Sequence, residues 1–161
     1  MSEATLEITL TVNGKRLHKT VNVRQHLVDF LRTELGLTGS HLGCEHGICG
    51  ACSVRVDGSV VRGCLMLAVQ ADGTDVVTIE GLTETGEIAD LQKNFIDRNA
   101  LQCGFCTPGM LMIVADLLRN TVSSNRRNIR EYISGNLCRC TGYHAIVDAV
   151  ETTIKARLGD S

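Results

Sequence analysis

Eight cysteines are the residues of this sequence whose type and spacing point most clearly to chemistry. A stretch without cysteine, residues 65 to 102, divides them into two groups of four. The first residues lack the basic and apolar regions of a secretory signal, so we expect the chain to be cytoplasmic. In that reducing compartment, grouped cysteines indicate metal ligands or redox groups rather than disulfides. The groups are Cys44, Cys49, Cys52 and Cys64, and Cys103, Cys106, Cys138 and Cys140.

The first group has the spacing C-x4-C-x2-C, and Cys64 follows after a gap of eleven residues. The first three spacings are those of plant-type [2Fe–2S] ferredoxins, although the fourth cysteine comes sooner than in those proteins. The loop must turn its backbone N–H groups towards the sulfurs, and Gly43, Gly47 and Gly50 permit the positive φ and close approach this needs. A structural zinc site is the alternative, but zinc loops usually supply a cysteine pair at both ends.

The second group combines a C-x2-C pair, which begins at Cys103, with a C-x-C pair, which begins at Cys138. Each pair precedes a predicted helix, whose free N–H groups and positive dipole end favour anionic sulfur and should lower the thiol pKa values. Two short cysteine pairs also suit zinc, so the spacing alone leaves both metals open. The cluster predicted upstream favours a second iron–sulfur site.

Alternating apolar residues and turn signals predict strands in the first half of the chain, with Asn13-Gly14 as the tightest hairpin signal. Leu27, Phe30, Leu31 and Leu35 share one face of a predicted helix. Strands that surround a single helix are typical of an α+β fold. The predicted strands cover residues 5–12, 15–23, 53–56, 60–61 and 76–79, and the helix covers 27–35.

After about residue 87, the apolar residues recur with the spacing of a helix. Ile88, Leu91, Phe95 and Ile96 recur at helical spacing. A second helix is expected to follow, with Thr107 as its N-cap and Pro108 as its first residue. A third starts at Ser123 or Ser124, and a fourth carries Ile146 to Leu158. The sequence therefore predicts three parts, which are residues 1–80, a linker at 81–87, and residues 88–161.

Composition argues against several functions. The net charge is −2 and aromatic residues make up 3% of the chain, so neither a basic patch nor stacking side chains indicate nucleic-acid binding. No apolar run approaches ~18 residues, so we expect no direct membrane insertion.

Three motifs, in this order, resemble the small iron–sulfur subunit of the xanthine oxidase family of molybdenum hydroxylases. They are residues 43–52, residues 102–110 and residues 135–143. The eleven-residue gap before Cys64 is normal in that family, and the resemblance covers nearly the whole chain. It implies an N-terminal β-grasp [2Fe–2S] ferredoxin domain followed by an all-α four-helix-bundle [2Fe–2S] domain.

The same resemblance implies an electron-transfer subunit that does not itself act on substrate. Electrons would pass from molybdopterin, in the cytosine dinucleotide form, on a large subunit through the helical-domain cluster and then the ferredoxin-type cluster. FAD on a medium subunit would receive them, in a dimer of heterotrimers. Gln102 and Cys140 would contact the pterin. A free soluble ferredoxin and a zinc-stabilised interaction module are the two alternatives.

Three further side chains lie beside the predicted ligands. His46 is conceivable as a Rieske-type ligand, but cysteines already fill the four positions, so we expect an exposed loop residue. Phe105 is predicted to shield a cluster from water rather than to relay electrons. Arg139 fits either a solvated side chain or a charge-assisted contact to the partner or pterin.

Overall fold

The computed structural model describes residues 4–120 and 125–159, and its N-terminal part is built around a five-stranded sheet. The strand order is β2-β1-β5-β3-β4, in which β1 pairs antiparallel with β2 and parallel with β5. Asn13 and Gly14 both have positive φ, as a two-residue hairpin requires, so the predicted hairpin is confirmed. The strands are β1 (Thr5–Val12), β2 (Lys15–Asn22), β3 (Ser53–Val56), β4 (Ser59–Arg62) and β5 (Asp75–Val77).

One helical segment covers the sheet and forms the first apolar core with it. Helix α1 (Leu27–Asp29) continues as a wider π-helical turn at Phe30–Glu34, where the sequence predicts regular α-helix. The segment ends where Leu37 N donates a hydrogen bond to Leu31 O, and Leu27, Phe30 and Leu31 are buried against the strands. The amphipathic pattern predicted the buried face correctly.

The C-terminal part is helical, as predicted. Its helices are α2 (Ile79–Glu84), α3 (Ala89–Asp97), α4 (Thr107–Asn120), α5 (Arg126–Ile133) and α6 (His144–Leu158). Helix α6 packs against α3 and α5, while α4 contacts α5 and also β3 and β4. Because Val60 and Val77 pack on the helical core, that core continues onto the sheet. No helix within the described part of the chain is both long and apolar enough to cross a membrane.

The end of the last strand differs from the prediction. Ile79 is not part of β5 but begins α2, so most of the predicted linker at 81–87 is helical. The physical reason lies at Thr78, whose backbone N–H donates to Asn13 Oδ1 and whose hydroxyl accepts from Asn13 Nδ2. These bonds hold Thr78 in an extended conformation as the last residue before the helix, and Ile79 and Leu82 then pack into the helical core.

The starts of two helices bear on the predictions. Helix α4 begins at Thr107, but the Thr107 hydroxyl makes no capping bond, so the predicted N-cap role is wrong. The predicted start of the third helix at Ser123 or Ser124 lies outside the described residues. The described helix there begins at Arg126, and the Asn125 side chain accepts a hydrogen bond from Arg127 N.

Two neighbouring apolar residues of α3 provide a test of this core. Phe95 is 1% exposed, whereas Ile96, which shares its predicted face, is 69% exposed. We expect Phe95→Ala to lower the free energy of unfolding by about 3–5 kcal/mol through lost burial and a cavity. Ile96→Ala is the control and should change it by less than about 0.5 kcal/mol. Thermal or denaturant unfolding measures both, and equal effects would contradict this packing.

Candidate iron–sulfur sites

The N-terminal site consists of Cys44, Cys49, Cys52 and Cys64. Cys44 and Cys49 are partly exposed in the loop before β3, whereas Cys52 and Cys64 are each 2% exposed beneath it. Backbone N–H groups of His46 and Cys49 both donate to Cys44 Sγ over 3.4 Å. The expectation that the loop turns N–H groups towards sulfur is confirmed at Cys44.

Glycines shape this loop in two different ways. Gly47 and Gly50 have φ values of +75° and +76°, as the sequence predicts. Gly43 does not have positive φ, but its lack of a side chain leaves room for its neighbours. A Cβ there would lie 3.2 Å from Cys49 Sγ and 3.3 Å from Phe105 Cε1. The Phe105 ring therefore covers the N-terminal loop, although its own neighbour Cys106 belongs to the other site.

The C-terminal site consists of Cys103, Cys106, Cys138 and Cys140. Cys103 and Cys140 are exposed, and their Sγ atoms lie 3.5 Å apart. Cys106 and Cys138 lie deeper, and Cys106 directly precedes α4. The Thr141 hydroxyl donates to Cys138 Sγ over 3.1 Å, and Cys138 N donates to the Tyr143 hydroxyl over 2.8 Å. Residues of the loop before α6 thus hold Cys138 through hydrogen bonds to both its backbone N–H and its sulfur.

The thiols of each site lie in pairs. Within residues 4–120 and 125–159, no three His, Cys, Asp or Glu side chains are grouped so that they could hold a metal ion. Two irons that each take two thiolates, as in a [2Fe–2S] cluster, require two neighbouring pairs rather than four sulfurs around one point. The donor set therefore fits such a cluster. The contacting pairs are Cys44 with Cys49, Cys52 with Cys64, Cys103 with Cys140, and Cys106 with Cys138.

An unsatisfied hydroxyl beside the C-terminal site is consistent with an acceptor in that site. Thr107 Oγ1 follows Cys106 directly, is buried, and has no hydrogen-bond partner among the described residues. Buried hydroxyls normally have a hydrogen-bond partner, because a buried hydroxyl without one costs free energy. A sulfide or thiolate acceptor in the site would remove that cost.

The pKa values of the thiols are lowered by backbone hydrogen bonds and raised by burial. Backbone N–H groups of Cys49 and His46 lower the pKa of Cys44 to about 6. Burial raises the pKa of Cys52 to about 11 and that of Cys106 to about 12, each with a further contribution from a neighbouring thiol. The helix N-terminus after Cys106 does not outweigh burial, so the prediction of a lowered pKa is wrong there.

The remaining two shifts come from hydrogen bonds. Burial alone would raise the pKa of Cys138, yet bonds from the Thr141 hydroxyl and from the N–H groups of Thr141 and Cys140 lower it below its usual range. The contact with the Cys103 thiol raises the pKa of Cys140. The prediction of a lowered pKa therefore holds for Cys138 and is wrong for Cys140.

The two sites meet through a direct hydrogen bond that no sequence motif indicates. Leu137 N donates to Cys49 O over 2.8 Å, and Leu137 directly precedes Cys138. Beside this bond, Asn136 Nδ2 donates to Gly50 O over 3.2 Å, and Arg62 Nη2 donates to Asn136 Oδ1 over 3.1 Å. No local pattern could have identified Arg62, or the partners of Asn136, because these residues lie far apart along the chain.

His41 also joins the two loops. Its Nδ1 is 2.7 Å from Phe105 O, and the two rings are stacked with centroids 4.8 Å apart. His46 is exposed, as expected, and Gln102 and Arg139 are exposed beside the C-terminal site. Phe105 remains 47% exposed, so it covers the N-terminal loop only in part.

Comparison with known proteins assigns both halves of the chain to iron–sulfur families. Residues 10–77 match the family described as the 2Fe-2S iron-sulfur cluster binding domain, and residues 78–151 match the [2Fe-2S] binding domain. The gamma subunit of caffeine dehydrogenase from Pseudomonas sp. (strain CBB1) is 52% identical over 150 residues, which cover 90% of this chain and 89% of that protein.

Solved structures agree with this assignment. Quinoline 2-oxidoreductase from Pseudomonas putida 86 contains a chain that is 45% identical, with a TM-score of 0.88 over 98% of this chain and 99% of that one. In the comparison of sequences, the aldehyde oxidoreductase of Megalodesulfovibrio gigas is 42% identical over 148 residues, but the match covers only 16% of that longer protein.

The sheet domain and the helical domain, each with four cysteines, define a subunit that binds iron–sulfur clusters. The chain belongs to the small iron–sulfur subunits of the xanthine oxidase family of molybdenum hydroxylases.

The Thr141 hydroxyl yields a prediction about the C-terminal site. Thr141→Val removes the donor to Cys138 Sγ, and a hydrogen bond to sulfur stabilises the more negative, reduced state of a cluster. We expect the reduction potential of that cluster to fall by up to about 59 mV, a tenfold change in a one-electron equilibrium. A redox titration followed by EPR measures it.

Thr141→Ser keeps the hydroxyl and serves as the matched control, so its potential should stay close to that of the unaltered protein. The N-terminal cluster provides a second reference within the same sample. An unchanged potential in Thr141→Val, or an equal fall in both variants, would show that this hydroxyl does not tune the site.

Proposed function

We propose that this chain relays electrons from a molybdopterin site on a large subunit, through two [2Fe–2S] clusters, to FAD on a medium subunit. When bound, each cluster accepts and returns one electron. The chain itself supplies thiolates, hydrogen bonds and positioning, and does not act on substrate. Membership of an iron–sulfur subunit family of dehydrogenases supports the relay role.

The proposed ligands are the eight cysteines. Cys44, Cys49, Cys52 and Cys64 hold the ferredoxin-type cluster, and Cys103, Cys106, Cys138 and Cys140 hold the helical-domain cluster. The thiol pairs in each site support this assignment. The proposed division of the chain is a β-grasp ferredoxin domain over residues 1–80, a linker at 81–87 and a four-helix domain over 88–161.

One observation carries the proposal. The hydrogen bond from Leu137 N to Cys49 O joins a ligand of one site to the residue before a ligand of the other. A relay needs its two redox groups in close and fixed contact, whereas two independent zinc sites have no such need. A free ferredoxin exchanges electrons at its surface, so a contact between two internal sites gives it little advantage.

Exposure supports a direction for the relay. Gln102, Cys103 and Cys140 lie at the surface, where the pterin of the large subunit could contact Gln102 and Cys140. On the N-terminal site, Ile48 and Leu65 are each 64% exposed beside the ligand loop. Such exposed apolar residues suit a protein contact, which we assign to the medium subunit.

The proposed complex is a dimer of heterotrimers in the cytoplasm, with the pterin in its cytosine dinucleotide form. Relatives described as a gamma subunit or a small subunit support a multi-subunit complex. The matching segment within the longer aldehyde oxidoreductase shows that such a segment also occurs joined to other domains.

Purification of the tagged full chain from its native cells tests this function. We expect about four irons per chain, a brown colour, two distinct EPR signals on partial reduction, and two co-purifying chains that contain molybdopterin and FAD. A colourless chain that contains zinc would indicate the interaction module. Iron–sulfur protein without co-purifying chains would indicate a free ferredoxin.

Cys106→Ser gives a prediction for the path of the relay. We expect the variant complex to lose one EPR signal and about half of its iron, because one proposed cluster loses a ligand. Reduction of FAD by substrate should be abolished in rapid-mixing experiments, because electrons must pass the C-terminal site first.

Cys52→Ser is the comparison, since it should remove the other EPR signal and equally block reduction of FAD. Reduction of molybdenum by substrate should persist in both variants. If FAD is still reduced at the normal rate in either variant, electrons do not follow the proposed path.

A further inference from the structure

We propose that Arg62 and Asn136 are positioning residues that fix the contact between the two cluster sites and so set the rate of electron transfer between them. The inference rests on the proposed function, because it assumes that both sites hold clusters. The step is transfer of one electron, in which one site is oxidised, the other is reduced, and no bond is made or broken.

Asn136 stands at the centre of the contact. It is 1% exposed, and both ends of its amide are used, since Nδ2 donates to Gly50 O and Oδ1 accepts from Arg62. A Cβ at Gly50 would lie 2.5 Å from Asn136 Cγ, so the amide lies directly against the N-terminal ligand loop. The next residue, Leu137, donates to Cys49 O.

Arg62 holds this amide from the sheet. Its Nη2 also donates to Gly135 O over 2.8 Å, and its Nη1 donates to the hydroxyl of Ser53. The Ser53 hydroxyl in turn donates to Gly50 O over 2.6 Å. Arg62, Ser53, Gly50 and Asn136 therefore form a closed ring of hydrogen bonds, which we call the Arg62 ring.

The Arg62 ring differs from an ordinary contact between two halves of a protein. Its members lie next to ligands on both sides, because Ser53 follows Cys52, Gly50 follows Cys49, and Asn136 lies two residues before Cys138. A charged donor strengthens such bonds, and a planar guanidinium fixes two acceptors at once. The ring thereby restrains the direction of Leu137 N–H towards Cys49 O.

Arg55 offers a matched control. Its guanidinium binds Glu87 Oε1 over 2.9 Å and Glu87 Oε2 over 3.1 Å, which joins β3 to the segment between α2 and α3. This pair links the sheet to the helical half as the Arg62 ring does, but it touches no residue next to a proposed ligand. Loss of a general link between the halves can therefore be separated from loss of the ring.

The experiment compares Arg62→Met, Asn136→Ala and Arg55→Met in the holoenzyme. Pulsed EPR measures the dipolar coupling between the two reduced clusters, and pulse radiolysis measures transfer between them. For Arg62→Met and Asn136→Ala we expect both EPR signals and the iron content to persist, the distribution of couplings to broaden, and transfer to slow several-fold. Arg55→Met should match the unaltered enzyme in both readouts.

Unchanged coupling and rate in Arg62→Met and Asn136→Ala would overturn the proposal, and so would an equal change in Arg55→Met. If the first two variants lose iron, Ser53→Ala opens the ring by removing both bonds of the Ser53 hydroxyl, and an unchanged rate in that variant overturns the proposal instead. Absence of two iron–sulfur signals from the unaltered enzyme would refute the proposed function itself, which is a different result.

Discussion

The carbonyl oxygen of Gly50 lies in a close contact between the two halves of the chain. It accepts hydrogen bonds from the Ser53 hydroxyl and from Asn136, and a Cβ at Gly109 would lie 2.2 Å from it. Helix α4 can begin beside the N-terminal ligand loop only because residue 109 has no side chain. The backbone of one proposed cluster site therefore packs directly against the helix that follows Cys106 of the other.

The thiols of the two sites differ in their exposure. The deeper cysteines, Cys52, Cys64, Cys106 and Cys138, are held by packing, while Cys103 and Cys140 lie at the surface. In the proposed relay, an outside electron donor would reach the exposed pair. Burial also lowers the local dielectric, which adjusts the potential of a cluster. The proposed relay would therefore have an exposed entry side and a buried interior.

Local patterns in the sequence predicted much of the fold. The alternation in β1, the turn at Asn13-Gly14 and the apolar face of the 27–35 helix each depend on neighbouring residues, and the structure contains all three. The start of α2 at Ile79 was not predictable in this way, because Asn13 fixes Thr78 from 65 residues away. Ile96 has an apolar side chain at helical spacing, but the arrangement of α3 against α6 leaves it exposed.

The same distinction applies to the sites. The cysteines were identifiable because ligand spacing within a loop is a local property, and Gly47 and Gly50 were identifiable because a tight loop needs positive φ. Arg62 and Asn136 are 74 residues apart, so only the folded chain brings them together. The sequence therefore indicates the candidate ligands of each site, whereas the relation between the two sites depends on tertiary contacts.

Shared packing explains why two such small domains occur in one chain. Each half has about 80 residues, and cores of that size are marginal alone. Here Val60 and Val77 of the sheet pack on the helical core, and α4 contacts β3 and β4, so each half stabilises the other. A relay gains from the same packing, because a flexible linker would let the distance between the sites vary. The contact that completes the cores is therefore also the contact that holds the two cluster sites at a fixed separation.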